Sequence, residues 1–254
     1  MIHDLQKASM LKRISAYILD LILLMIVVVG AGSIVSHVLG LDANGEKLEA
    51  YYAQYEEQYG VTFEMTEEEY YAMTEEEMAN YYAAYEALIA DEDAMYVYNL
   101  VINQTLLIVS MGILIGCLAM EFVVPLLLGN GQTVGKKIFG LAVIRTNGVK
   151  INGVCLFIRT VLGKYTIETM IPVFVVIMLV FNVTGLLGTL LVAGIAVAQI
   201  VILCVTRTNS VIHDLLADTV VVDMSSQMIF GSEEELLEYK KRMSAENAAQ
   251  ASYF

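Results

Sequence analysis

Ile14 to Leu39 is a run of 26 residues with one charged side chain, Asp20, and Arg13 stands immediately before it. A helix needs roughly 20 apolar residues to cross a bilayer core, so this run is long enough to span. A carboxylate inside such a run is costly, and it faces a protein interior or a water-filled cavity. Seven residues separate Arg13 from Asp20. Two helical turns return to nearly the same face, roughly 10 Å deeper. The rest of the chain has to supply surroundings that tolerate this pair.

Three further apolar runs complete a four-span pattern, in a chain that is 57% hydrophobic and 17% charged; that composition belongs in a membrane. The second span lies within Val97–Leu128. Asn99, Asn103 and Gln104 crowd its first third, so its buried part is expected at Leu106–Leu127. The third, Tyr165–Asn182, is short and carries Glu168 and Pro172. The fourth is Leu186–Val205, joined to the third by a tight connection at Asn182–Gly185. Lys7, Lys12 and Arg13 precede the first span. Lys136, Lys137, Arg145, Lys150, Arg159 and Lys164 lie between the second and third, and Arg207, Lys240, Lys241 and Arg242 follow the fourth. Four spans with cytoplasmic termini put all thirteen on the inner side, as the positive-inside rule requires, whereas three spans would not. The first run is too long for the apolar region of a signal peptide and is expected to be retained.

The remaining base, Lys47, sits in an insert with sixteen acids between Asp42 and Asp93, which this orientation places outside the membrane. Ala, Glu, Met and Tyr dominate the insert and favour helix. The pattern predicts a helical hairpin, Glu46–Tyr59 and Thr66–Ala90, with the second arm able to run into span two. Thr66 with Glu69 and Thr74 with Glu77 both match a capping box. Two boxes eight residues apart cannot both begin one helix, so the first is expected to start it and the second to be a surface repeat. After span two, Ile138–Ile144 reads as a strand, Asn147-Gly148 as a tight turn and Val149–Ile151 as the return of a β-hairpin, to which Thr219–Asp223 could pair. Val154–Lys164 reads as an interfacial helix. Ser232 and Glu235 start a tail helix that ends in a polar, frayed stretch. The segments are thus residues 1–41, 42–96, 97–128, 129–164, 165–206 and 207–254. The fold class is an all-α membrane protein with an extracytoplasmic helical insert and a small cytoplasmic β-hairpin.

Several chemistries find no support. The net charge of −14 is not that of a nucleic-acid binder. Cys117, Cys155 and Cys204 show no paired spacing, and His3, His37 and His213 are too scattered for zinc. Gly131 and Gly135 bracket three residues where a phosphate loop needs four, and Lys137 stands where it needs Ser or Thr. No nucleophile–base pair or metal cluster appears, so neither an enzyme nor a cofactor is expected. Gly112 and Gly116 permit close helix packing. Glu121 is expected to snorkel toward Lys136 or Lys137. The insert's tyrosines read as helix packing. His213-Asp214 is either a proton-transfer pair or a hydrogen-bonded corner, and the Arg13–Asp20 pair is either a structural network or part of a transport path.

Together these pieces resemble the RDD family of bacterial membrane proteins, named for one arginine and two aspartates. Arg13-x-x-Ala16-x-x-x-Asp20 matches its first element. Gly131-Gln132-Thr133-Val134-Gly135-Lys136, followed by Gly140-Leu141-x-Val143, matches the central one, and Asn147-Gly148 and Arg159 also fit. His213-Asp214, with Thr219 and Val221, matches the last. The resemblance covers about residues 7–223 apart from the insert. Val134 stands where proline is common and Asp218 where glycine is common; the latter adds a charge near Asp214. The resemblance implies a multi-pass location in the bacterial inner membrane and carries a proposed transport role, with cation–proton antiport one form of it. In that reading Asp20 is the ionisable site, and Arg13 and Asp214 control its charge; Arg13 is expected close to Asp20 or Asp214, and since two turns are a long reach, Asp214 is the expected direct contact. The alternative is a membrane scaffold whose insert binds a protein or envelope partner. Expected partners are the lipid bilayer, further copies of the chain in a homo-oligomer, and an extracytoplasmic protein.

Overall fold

The computed structural model describes residues 5, 8–180, 185–206 and 210–251. His3, Lys7, Arg207 and the Asn182–Thr184 part of the third connection lie outside them. Four helical stretches are long and apolar enough to cross a membrane: Met10–Leu39, Glu92–Leu128, Gly153–Leu179 and Gly185–Val205. Their outward side chains, such as Ile22, Ile26, Val29, Val197 and Ile200, are largely exposed. A helix apolar on its outer surface is stable only with lipid against it. The chain forms two compact units, residues 29–112 and the remainder.

The unit of residues 1–28 and 113–254 is organised around a two-stranded antiparallel sheet. Strand β1 (Leu141–Arg145) pairs with β2 (Thr219–Asp223) in the register Leu141↔Asp223 to Arg145↔Thr219. Alternate side chains leave opposite faces of the sheet. On one face Leu141, Val143 and Val221 pack against Ala16 of helix α1 (Met10–Leu39) and against Leu156. On the other, Ala142, Ile144, Val220 and Val222 pack with Ile229. Both faces are covered, so both strands read as continuous apolar runs.

The expected hairpin is corrected here. Ile138 ends a short helix, α7 (Val134–Ile138), and the strand begins three residues later. The turn forms at Asn147-Gly148, with Gly148 at φ 90°. The return makes only isolated bridges, Ile144↔Lys150 and Val149↔Phe230. Phe230 draws it away: Lys150 N donates to Phe230 O at 2.8 Å and Phe230 N to Gly148 O at 3.2 Å. The β-branched run Thr219–Asp223 takes the place beside β1, as its residue types favour.

The expected interfacial helix and third span form one helical stretch, α8 (Gly153–Phe157), a π-helical segment Ile158–Met170 and α9 (Ile171–Val180). Helix α10 (Gly185–Val205) is the fourth span and packs on α9. A shorter π segment, Leu118–Val123, separates α5 (Glu92–Cys117) from α6 (Val124–Leu128) in the second span. Gly116 of the Gly-x-x-x-Gly pair lies where an added Cβ would stand 2.5 Å from Val28. A five-residue helix, α11 (Ile212–Leu216), precedes β2. The tail helix α12 (Glu233–Ala251) starts with Ser232 Oγ accepting from Glu235 N at 3.2 Å, while Glu235 reaches back to Gly231 N at 2.6 Å, one residue beyond the expected box.

In the unit of residues 29–112, helix α2 (Leu41–Tyr59) packs against α4 (Glu75–Ala90). Both Thr-x-x-Glu sequences are true capping boxes, the first opening α3 (Glu67–Ala72) and the second α4. The surface-repeat expectation is corrected: the helix breaks at Met73, which is extended at φ −60°, ψ 140°. Nor does α4 run on into α5. Asp91 interrupts and turns its carboxylate to the backbone N–H of Asp93 and Ala94, at 2.9 and 3.0 Å.

Candidate functional site: a charged cavity

Arg13, Ala16 and Asp20 stand three and four residues apart, on one face of α1. Ala16 and Asp20 are its buried residues. The turn Gly129-Asn130-Gly131, all at positive φ, presents the first turn of α7 to that face. Gly135 must be glycine, because Ala16 O and the Asp20 carboxylate occupy the space of a Cβ. Asp20 Oδ2 accepts from the Thr133 hydroxyl, and Oδ1 accepts from Gly135 N at 2.7 Å. Lys136 Nζ lies 3.1 Å from Thr133 Oγ1 and 3.7 Å from Asp20 Oδ2. The seven-residue spacing put Arg13 on the same face as Asp20 but out of its direct reach. Two turns are further than the side chains bridge, and α7 supplies the donors.

Arg13 faces Asp214, the direct contact expected for it, with Nη2 3.9 Å from Oδ2. Arg159 holds the other oxygen: Nε and Nη2 donate to Oδ1 at 3.0 and 2.8 Å. Thr219 Oγ1 adds a bond to Oδ1 at 3.1 Å. Asp214 Oδ2 has no hydrogen-bond donor among the described residues. Burial opposes ionisation of Asp214, but Arg159, with Arg13 behind it, outweighs burial and holds the carboxyl well below its ordinary range.

The proton on His213 follows from its neighbours. Arg159 Nη2 can only donate, so at 2.9 Å His213 Nε2 accepts. Nδ1 then carries the hydrogen and donates to Glu168 Oε2 at 2.8 Å, while Glu168 Oε1 takes the His213 backbone N–H at 3.0 Å. Burial first, and Arg159 second, lower the imidazole pKa and keep it neutral. Gly163 lets α11 approach, since a Cβ there would collide with His213. The π winding matters here, because i→i+5 bonding brings residues four and five apart onto one face. Arg159, Lys164 and Glu168 share that spacing. Thr166 and Thr169 hydroxyls donate to carbonyls five residues earlier, at 2.8 Å each.

Glu121, in the π segment of the second span, ion-pairs with Lys164 at 2.5 Å. The expected partners were Lys136 or Lys137, which come sooner in sequence but do not make this pair. Thr160 Oγ1 donates to Glu121 O at 2.8 Å.

These groups line one cavity of about 370 Å3. Four cations, Arg13, Lys136, Arg159 and Lys164, face four carboxylates, Asp20, Glu121, Glu168 and Asp214, so the lining is neutral overall. Burial, reinforced by Lys164, pushes the Lys136 pKa down to about 8. Of the residues singled out in the sequence, Arg13, Asp20, Thr133, Gly135, Lys136, Arg159, His213, Asp214 and Thr219 come together here. Gly131 stands apart and shapes the preceding turn, where a Cβ would lie 2.9 Å from Val143 and Ile151. Glu168, Lys164 and Glu121 were not among the candidate site residues. Their signal was a charge within or beside an apolar run, the same signal that marked Asp20. Gln199, whose Oε1 lies 3.5 Å from Ile212 N, gave no such signal. Among the described residues no His, Cys, Asp and Glu side chains are grouped to hold a metal ion.

The sequence profile of the RDD family matches residues 7–218. Neither a curated protein nor a solved structure matches the chain.

Proposed function

Given that this chain belongs to the RDD family and is an integral membrane protein, we propose that it exchanges a monovalent cation for a proton across the membrane through the charged cavity. One observation carries the reading: eight charged side chains surround about 370 Å3 of space beside a carboxylate in a membrane-spanning helix. A purely structural ion network closes on itself, whereas this one borders a space large enough for water, with charged groups in its wall to bond it. Lys136 is the proton carrier in this reading. With its pKa lowered to about 8, it releases a proton near neutral pH. A cation then takes its place beside Asp20, and the lining stays neutral. Arg13 and Asp214 form the second charge centre rather than the direct neighbours of Asp20. Both termini face the cytoplasm and residues 42–93 face outside, in a bacterial cell membrane. The working form is a homo-oligomer, because four spans are few for a carrier.

Liposomes holding purified protein and an entrapped pH dye test the exchange. A pulse of external sodium or potassium should alkalinise the lumen relative to empty liposomes. Asp20→Asn and Lys136→Arg should insert normally and lose at least about tenfold of that rate, since arginine keeps its proton at neutral pH. Rates equal to those of empty liposomes would sink the exchange reading. The scaffold reading would then take its place, with the support that residues 29–112 pack as a compact unit of their own.

A further inference from the structure

The unit of residues 29–112 contains a cavity of about 300 Å3 that cation exchange does not use. Tyr52, Phe63, Tyr81, Tyr85 and Tyr98 contribute to its walls, with the buried Leu88 and Ala94. Phe63 lies 5.8 Å, centroid to centroid, from both Tyr52 and Tyr81, tilted to the first and edge-on to the second. Such contacts hold the rings at fixed angles. Tyr85 and Ile89 in the wall are half-exposed, so the space is reached from the surface.

The charges bonded to the wall of this cavity are negative. None of the described lining residues is basic. Two carboxylates are bonded to the backbone of the wall itself: Glu56 Oε1 accepts from Phe63 N at 2.6 Å and Asp91 Oδ1 from Ala94 N at 3.0 Å. Lys47, the insert's base, sits 3.4 Å from Asn44 Oδ1 on the previous turn of α2. Aromatic faces attract a cation within about 6 Å, and surrounding acids raise its local concentration. A small inorganic cation needs oxygen ligands to replace its water, and a wall of rings does not supply them. The volume lies at the lower end of the roughly 300–1,000 Å3 that small-molecule pockets occupy.

We propose that this cavity binds a small organic monocation of the alkylammonium class, free in solution, through its tyrosine and phenylalanine rings. The site stands independently of cation exchange in the other unit.

Choline is the probe and 3,3-dimethylbutan-1-ol, its uncharged isostere, the control. Calorimetry on the full-length protein in uncharged detergent should show choline binding at least about tenfold tighter than the isostere. Tyr85→Leu, at a half-exposed wall position, should weaken choline at least about fivefold, while Tyr85→Phe stays within about twofold. Tyr71→Leu, 79% exposed and outside the wall, should leave binding unchanged. No choline binding, equal binding of the isostere, or the same loss in Tyr71→Leu would each overturn the proposal. Free choline should also bind in phosphatidylcholine nanodiscs. Displacement there would give the site to a lipid headgroup and overturn the free solute as its occupant.

Discussion

Arg159 and Asp214 are 3% and 1% exposed, and the pair is bonded at 2.8 Å. Removing one member leaves the other charged and buried without its closest partner, with Arg13 3.9 Å from Asp214 as the remaining cation; this costs up to about 3–5 kcal/mol, whereas replacing both with apolar residues costs much less. Arg159→Met should therefore destabilise the protein by about that amount, and Arg159→Met with Asp214→Leu should recover a large part of it. Chemical unfolding of all four forms in detergent measures the cycle; additive losses would show that the pair does not act as a unit. His213 sets a different dependence. Its folded pKa lies below the ordinary 6.5, so below pH 6.5 the unfolded chain binds the extra proton. The stability His213 contributes is complete above pH 6.5 and falls as the pH drops toward the folded value. Between pH 7 and 5.5 the unfolding midpoint of the wild type should fall more than that of His213→Gln. Parallel falls would remove His213 as the cause. Asp218 shows how a departure from the family pattern is accommodated. It adopts φ 51°, where glycine is easiest and Asp is among the tolerated residues. Its carboxylate accepts from the Thr146 hydroxyl at 2.5 Å, so its charge is engaged away from Asp214.

Among the elements, α7 has the most influence for its length. Thr133 caps it in an extended conformation, φ −76° and ψ 172°, and Val134 is its first residue. That position favours proline, whose missing N–H has no helical acceptor there and whose predecessor must be extended. Val134→Pro should raise stability by about 0.4–1 kcal/mol with the Asp20 bonds intact. A lower unfolding midpoint would mean that the N–H of Val134 is in use. The turn chemistry around α7 was legible in the sequence as a glycine-spaced segment, but its helical form was not. Five residues carry too little periodicity to separate a helical turn from a strand start. The same limit applies to Ile158–Met170. Apolar content marked a helix there, but no local pattern distinguishes π from α winding, and the winding places Arg159, Lys164 and Glu168 together.

At the scale of the molecule, the distribution of bases supports the proposed orientation of the four spans. Single cysteines at Glu57 and Asn147, in a background without Cys117, Cys155 and Cys204, should label from opposite sides of intact vesicles. Labelling of both from outside would overturn the proposed topology. The mass of the protein in nanodiscs, with lipid subtracted, should be a multiple of the 28.0 kDa chain; a value of one chain would rule out the homo-oligomer.

What the sequence determined by itself is what depends on local pattern and solvent. Apolar runs specified four spans because a bilayer demands length and hydrophobicity from each helix separately. The Thr-x-x-Glu spacing marked the helix start at Thr66 because a cap needs only its own first turn, while the second start at Thr74 came from the structure. The cost of a buried charge marked Asp20, and the family resemblance joined Arg13 and Asp214 to it. Beyond Arg13 with Asp214, which charge meets which was decided by tertiary structure. Lys136 reaches Asp20, Lys164 reaches Glu121, and Glu168 reaches His213 only after α7, α11 and the π-wound helix converge. Ion pairing at these distances depends on separations in space of a few ångströms, while the partners lie between 43 and 116 residues apart in the chain.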